Sequence, residues 1–592
     1  MSSEANGQGT TDRDSRRAAD RLLLQVSRRG GAPVALLVIT TLVLAGAELA
    51  LPFVLGRTLD ALIENGSADT WLLWIGLLVA ALVLFDALDD LVTGATIARC
   101  TAWLRHTLTG HILALGARPA GRARPQELSS RLVANAADAG RVAPDLVRAG
   151  IGVLPAVGGT VALALIDPWL CVTFLAGMPL FVLLLRAFAR DASGPASRYL
   201  DTQGTIASRL VDALSGGRTI AAAGTQDREA ERILKPLPEL HRHGIAMWRA
   251  QGRIAAQDAV LISLLEVAVL AVAGALLAAG RITPGQLLAA SQYVLLAATL
   301  SSAVGFIDRL VRSRAAAQRI NEVLDQPPVR YGRAPLPPGH GRIEFRGVTA
   351  GSADRPVLRG LDLVLPGGCL AAVVGRSGSG KSLCAALAVR LLDPDEGDVL
   401  LDGVALSQLS RGELRQAVGY GFERPVLIGE TLADAIAFGD RALSNQEVVQ
   451  AAQAARADDF IRRMPQGYAT ALADAPMSGG ERQRVGLART FAVARRLVVL
   501  DDVAASLDSV TEHHISEVLT GALADRTRIV VAHRASTASR ADVVVWLEGG
   551  GVRAAAPHAQ LWRDGEYRAL FAPDGNDPPA SLRPTGMNGG SP

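Results

Sequence analysis

Gly375-Arg376-Ser377-Gly378-Ser379-Gly380-Lys381-Ser382 decides how the second half of this 592-residue chain is read. The stretch fits G-x-x-x-x-G-K-[ST], the phosphate-binding P-loop pattern. The apolar run Leu370-Ala-Ala-Val-Val374 precedes it and Cys384-Ala-Ala-Leu-Ala-Val389 follows, which predicts strand, loop and helix in that order. Glycines let backbone N–H groups curl around phosphate oxygens, and a helix N-terminus adds positive potential. Lys381 is placed to bridge the β- and γ-phosphates of ATP, and Ser382 to hold Mg²⁺. The chain has two lysines, Lys235 and Lys381, and takes its other basic charge from arginine. One of the two sits where a compact ammonium suits phosphate better than a planar guanidinium.

The first half carries the hydrophobicity. The chain is 49% hydrophobic, and six apolar stretches lie near 33–56, 71–93, 148–166, 168–188, 256–279 and 286–307. Each is long enough for a hydrocarbon core of about 30 Å. Residues 57–70, 167 and 280–285 are short links, whereas 94–147 and 189–255 are long and rich in arginine. The positive-inside bias puts the long links, and with them both termini and the P-loop domain, in the cytoplasm of a cell-membrane protein. The net charge of +3 is too small to point to nucleic acid. Cys100, Cys171, Cys369 and Cys384 form no metal-ligand or disulfide pattern.

These readings predict a multi-domain chain: an all-α six-helix transmembrane domain followed by an α/β P-loop ATPase domain. The expected parts are a cytoplasmic tail at 1–30, the membrane domain at 31–325, a proline-containing linker at 326–340, the ATPase domain at 341–572 and a disordered tail at 573–592.

Leu497-Val-Val-Leu500-Asp501 reads as a buried strand ending in a carboxylate able to reach Mg²⁺. Before it lies Met477-Ser478-Gly479-Gly480-Glu481-Arg482-Gln483-Arg484, leading into Val485-Gly-Leu-Ala-Arg489. With these residues the half resembles the ATP-binding cassette (ABC) ATPases. The resemblance implies that Ser478, Gly479 and Gly480 cap the γ-phosphate of a nucleotide held by the opposite subunit. Ser506-Leu507-Asp508 resembles the loop linking two such sites, and His533 in Val530-Val-Ala-His533-Arg534 the switch histidine that senses the γ-phosphate. The six spans with a fused cassette resemble an exporter-type half-transporter. Ile282-Thr-Pro-Gly285-Gln-Leu287 resembles a recurrent turn of that family, and Leu128–Arg131 and Leu210–Gly217 fall where it has coupling segments.

Four departures from the family pattern stand out. The glutamate expected after Asp501 is Asp502, whose shorter reach of roughly 1–1.5 Å can cost ~10²-fold in rate. Glu423 stands where a glutamine is usual, so a carboxylate can approach Mg²⁺ but an amide donor is lost. Thr349-Ala-Gly-Ser352 replaces an adenine-stacking aromatic, and Leu472–Pro476 lacks a Gly-Glu-x-Gly element. Asp502 beside an intact Ser478-Gly479-Gly480 resembles one subunit of the family's asymmetric pairs, and that resemblance implies a heterodimer with a second half-transporter, in which this chain's signature completes the partner's site. The alternatives are a homodimeric exporter, an importer of the same fold and a regulatory subunit without turnover.

The cargo is less legible. A peptide, lipid or drug-like compound is expected, and the arginine-heavy composition resembles actinobacterial proteins. Glu48, Asp258 and Glu266 are candidate contacts for a polar or cationic substrate. Asp86, Asp89 and Asp90 are expected to reach the aqueous interface from the cytoplasmic end of the second span.

Overall fold

The computed structural model describes residues 2–64, 68–116, 125–298, 303–352, 355–439, 441–503 and 509–571. Contacts divide the chain into two units, Met1–Ile112 with Ala123–Gln326, and Leu113–Arg122 with Pro327–Pro592.

The first unit is helical. It opens with α1 (Ser2–Gly30), α2 (Ala32–Ile63) and α3 (Asp69–Ala114). Then follow α4 (Val142–Ile151), α5 (Val153–Ile166), α6 (Pro168–Ser215), α7 (Leu237–Ala278), α8 (Pro284–Ala298) and α9 (Ala303–Leu324). Pro168 begins α6 because its missing N–H is not needed there, and the Asp167 side chain caps the turn by accepting from the Trp169 amide at 2.9 Å. Four helical stretches among the described residues are long and apolar enough to cross a membrane: 32–63, 69–114, 127–166 and 226–278. Pro168–Pro179 is a shorter apolar one. The expected sixth span is helical to Ala298, and residues 299–302 lie outside the described residues. The most apolar window of α3 buries nothing within the chain, so its Leu72, Leu73, Leu77, Val83 and Leu84 need a hydrocarbon surround.

Helices α5 to α8 share a core of Leu163, Leu170, Phe174, Val269, Ala273, Tyr293 and Val294. Backbones approach closely where side chains are smallest. A Cβ on Gly285 would sit 2.0 Å from the Gly56 carbonyl oxygen, so α2 and α8 touch through two glycines.

One expectation fails in this unit. Asp86 and Asp90 are exposed, but Asp89 is only 4% exposed. Its carboxylate accepts from the hydroxyls of Thr40 (3.1 Å) and Thr41 (2.8 Å) and from Arg148 Nη2 (2.8 Å). Three donors from α2 and α4 offset the desolvation that would otherwise drive the charge to water. Glu48 and Glu266 are half-buried, and the Asp258 side chain lies outside the described residues.

The second unit is α/β. A four-stranded antiparallel sheet has the order β2-β1-β4-β5, with β1 Ile343–Ser352, β2 Arg355–Leu365, β4 Glu396–Leu401 and β5 Val404–Ala405. A six-stranded sheet has the order β10-β9-β3-β8-β7-β6. Its strands are β3 Leu370–Val374, β6 Val418–Gly421, β7 Leu497–Leu500, β8 Thr527–Val531, β9 Val543–Glu548 and β10 Gly551–Ala556. Strands β9, β3, β8, β7 and β6 run parallel. Strands β3 and β7 are buried at every residue, as expected where both faces of a parallel sheet are covered.

Candidate functional site

Parallel pairing brings the chemistry together. In the order β3-β8-β7-β6, the strands are followed at their carboxyl ends by Gly375, His533, Asp501 with Asp502, and Glu423. The register aligns those ends, with Val373 opposite Val531, Leu500 opposite Val530 and Gly421 opposite Leu500. Ligands of open α/β sheets bind at this edge.

Residues Gly375–Gly380 leave β3 and enter α10 (Lys381–Ala388). Gly378 (φ 80°) and Gly380 (φ 97°) take left-handed backbone that a side chain would strain. At Gly380 a Cβ would also lie 2.7 Å from Leu358 Cδ2. Lys381 Nζ donates to the carbonyls of Gly375 (2.9 Å) and Arg376 (3.1 Å), so its ammonium is folded back over the loop. Burial lowers its pKa, against the pull of Asp502 and Asp501. Ser379 Oγ is buried without a hydrogen-bond partner among the described residues, which fits a loop shaped to meet an oxygen of a ligand. Arg376 and Ser377 are exposed on the same loop. Cys384 packs beneath it, and burial pushes its thiol up to about 12, so it is inert.

Asp501 is held at both oxygens. Ser382 Oγ donates to Oδ1 at 2.9 Å, and the Tyr420 hydroxyl donates to Oδ2 at 2.8 Å. The Ser382 hydroxyl and the Asp501 carboxylate are hard oxygen donors facing each other, a pair that fits Mg²⁺. Tyr420 is the residue that sequence reasoning missed. Its only signal is position, one residue from the end of β6, because the pairing of β6 with β7 is not encoded locally.

Asp502 adopts φ 49°, a left-handed conformation that aspartate tolerates better than most residues. Its Oδ2 lies 3.8 Å from His533 Nε2, near but beyond hydrogen-bond distance. Burial raises the Asp502 pKa; Glu423 and Asp501 add to the rise, while His533 and Lys381 oppose it. Glu423 is half exposed and pairs with Arg424 at 3.6 Å, with no hydrogen bond to Asp501 among the described residues.

Ser478 starts α11 (Gly479–Val493) through a reciprocal cap. Its hydroxyl accepts from the Glu481 amide at 3.3 Å, and the Glu481 carboxylate accepts from Ser478 N at 2.9 Å. Among the described residues Ser478, Gly479 and Gly480 make no hydrogen bond to the loop at 375–382. Ser506, Leu507 and Asp508 lie outside the described residues. In place of an aromatic, the end of β1 is tied down by polar bonds: Gly360 N donates to Thr349 Oγ1 at 3.1 Å and Gly351 N to Asp395 Oδ2 at 3.0 Å.

Comparison with known proteins agrees with this geometry. Residues 358–505 match the family described as ABC transporter, and residues 34–301 the ABC transporter transmembrane region. The ABC transporter ATP-binding protein RamA of Streptomyces coelicolor is 45% identical over 543 residues, covering 92% of this chain and 85% of that protein. An ATP-dependent lipid A-core flippase of Chromohalobacter salexigens is 32% identical, covering 72% of this chain and 74% of that protein. A bacterial Atm1-family ABC exporter solved with ATP bound superposes with a TM-score of 0.75 at 26% identity, covering 92% of this chain and 99% of that one.

Proposed function

The chain belongs to the ABC transporters with fused transmembrane and ATPase domains, and on that premise we propose that it is one half of a heterodimeric exporter with a slow ATP site of its own. It is a multi-pass membrane protein, an ATP-driven exporter of the ABC type, and a half-transporter that works as a dimer in the membrane. Its ATPase domain binds ATP and couples hydrolysis to transport. The parts we take as functional units are 1–30, 31–325, 326–340, 341–572 and 573–592, with the ATPase domain and both termini in the cytoplasm.

We assign the triphosphate to the backbone N–H groups of 375–380 and to Lys381, which leaves its two carbonyl partners to meet phosphate. Ser382, Asp501 and Glu423 are assigned to Mg²⁺, which when bound neutralises phosphate charge. Asp502 accepts the proton of the attacking water, a role suited to a carboxylate with a raised pKa, and His533 holds the γ-phosphate end. Ser478, Gly479 and Gly480 cap the partner's nucleotide, consistent with their lack of bonds to this chain's own loop. A lipid or amphiphilic cargo is the reading that the flippase relative supports.

The observation that carries the heterodimer is Asp502: a short carboxylate at a strand end, beside a complete loop and signature. The test is Mg-ATP turnover of the purified chain in lipid nanodiscs, alone and beside Asp502→Glu. Negligible turnover with ATP bound, raised by Glu, supports a weak site awaiting a catalytic partner. Full turnover by the unaltered chain alone sinks the heterodimer and leaves a homodimer.

A further inference from the structure

In the membrane unit, the end of α2, the end of α5 and the start of α8 enclose a cavity of about 350 Å³. Phe53, Leu165, Ile166 and Ala289 give it apolar walls, and Arg57 and Asp60 stand at its rim. Leu165 is 82% exposed and Phe53 50%, so the cavity opens outward from the helical core.

The rim charges are unevenly matched. Asp60 follows Arg57 by three residues on α2, a spacing at which the two could pair. Instead, Asp60 Oδ2 accepts from Thr283 Oγ1 and Oδ1 from the Gly285 amide, both at 2.7 Å. The carboxylate is thus satisfied by the N-terminus of α8, where the helix dipole favours it. Arg57 makes no ion pair among the described residues; its guanidinium lies 5.5 Å from the Phe53 ring centroid. Among the described residues, a cation without a matching anion therefore overlooks an apolar cleft. The glycine contact between α2 and α8 fixes the helices beside it, so the opening is part of the packing.

We propose that this cavity binds a single-chain anionic amphiphile from the bilayer, a fatty-acid carboxylate, with its head on Arg57 and its chain along Phe53, Leu165 and Ile166. Ligand sites run from about 300 to 1,000 Å³. A cavity at the small end suits one chain. The proposal rests on the membrane placement above, and not on cargo or direction of transport.

The full chain is placed in nanodiscs of zwitterionic lipid and exposed to diazirine-bearing palmitic acid or to the matching palmityl alcohol. Modified peptides are then mapped by mass spectrometry, with ATP binding read in the same discs. The acid is expected to mark peptides holding residues 53–60, 162–166 and 283–293, and the alcohol to mark them weakly. Arg57→Gln should weaken labelling by the acid about tenfold, the loss of one charge-assisted contact, and Ala162→Trp should fill the space against both probes. Equal labelling by acid and alcohol, labelling indifferent to Arg57→Gln, or marks spread evenly over the spans would overturn the proposal. Loss of ATP binding with labelling intact would count against the proposed function and leave the cavity standing.

Discussion

In the proposed nucleotide site, the phosphate loop and the carboxylate rim are built from different parts. Residues 375–380 would work through backbone, held by glycine conformations and the start of a helix. Glu423, Asp501 and Asp502, at the ends of β6 and β7, would work through side chains. A backbone cradle is indifferent to most side chains, so Arg376 and Ser377 cost it nothing. A side-chain rim depends on single methylenes, because proton transfer is sensitive to displacements of about 1 Å. One site can therefore keep its grip on ATP while its chemistry weakens, and the proposed heterodimer is built on that separation.

The largest expected effect removes the grip. Lys381→Ala should weaken ATP binding by about 1.5–3 kcal/mol, the worth of a hydrogen bond to a charged group, and abolish turnover; fluorescent-nucleotide titration checks the first. If binding survives unchanged, the cradle does not need its ammonium and the contrast fails. Asp502→Glu should raise turnover by up to ~10²-fold at nearly constant ATP affinity. A left-handed backbone at residue 502 works against the longer side chain, so a smaller gain with affinity intact still sharpens the contrast. The pH profile gives a second reading. The Asp502 pKa lies above its ordinary 3.8, and lowering the pH through the raised value protonates the acceptor. The acid limb of turnover should thus lie above the ordinary aspartate range and shift in the variant.

Tyr420→Phe tests the rim through a residue that touches no phosphate in the proposed scheme. Groups that orient a metal-binding carboxylate are worth about 10–100-fold in metal affinity. The Mg²⁺ concentration that half-saturates Mg-ATP binding should rise about tenfold, while nucleotide binding without Mg²⁺ stays constant. A fall in melting temperature alone would make the tyrosine a packing residue. Smallest is Glu423→Gln, which restores an amide donor at a half-exposed position; a two- to threefold change in turnover is a reasonable scale for an exposed polar contact.

Much of the fold was legible because its signals are local. Apolar length marked the helices, and glycine spacing before Lys381 marked the loop and the strand and helix around it. Ser478 and Glu481, three residues apart, already carry the capping box that starts α11. Asp89 was misread because burial depends on partners that composition does not reveal: Thr40 and Thr41, which lie 49 and 48 residues away, and Arg148, 59 away. Tyr420 was missed for the same reason, its bond to Asp501 spanning 81 residues.

By itself the sequence determined the two-part architecture and the strand, glycine loop and helix at 370–388. These follow from hydrophobic length, backbone freedom and residue chemistry, which act over a few residues. Only the tertiary structure decided which polar groups meet. It set Tyr420 against Asp501, buried Asp89 on Arg148, and turned Asp60 toward a helix start 225 residues away, leaving Arg57 over a cavity. Those pairings depend on strand register and helix packing, where a shift of one residue would point each side chain at a different neighbour.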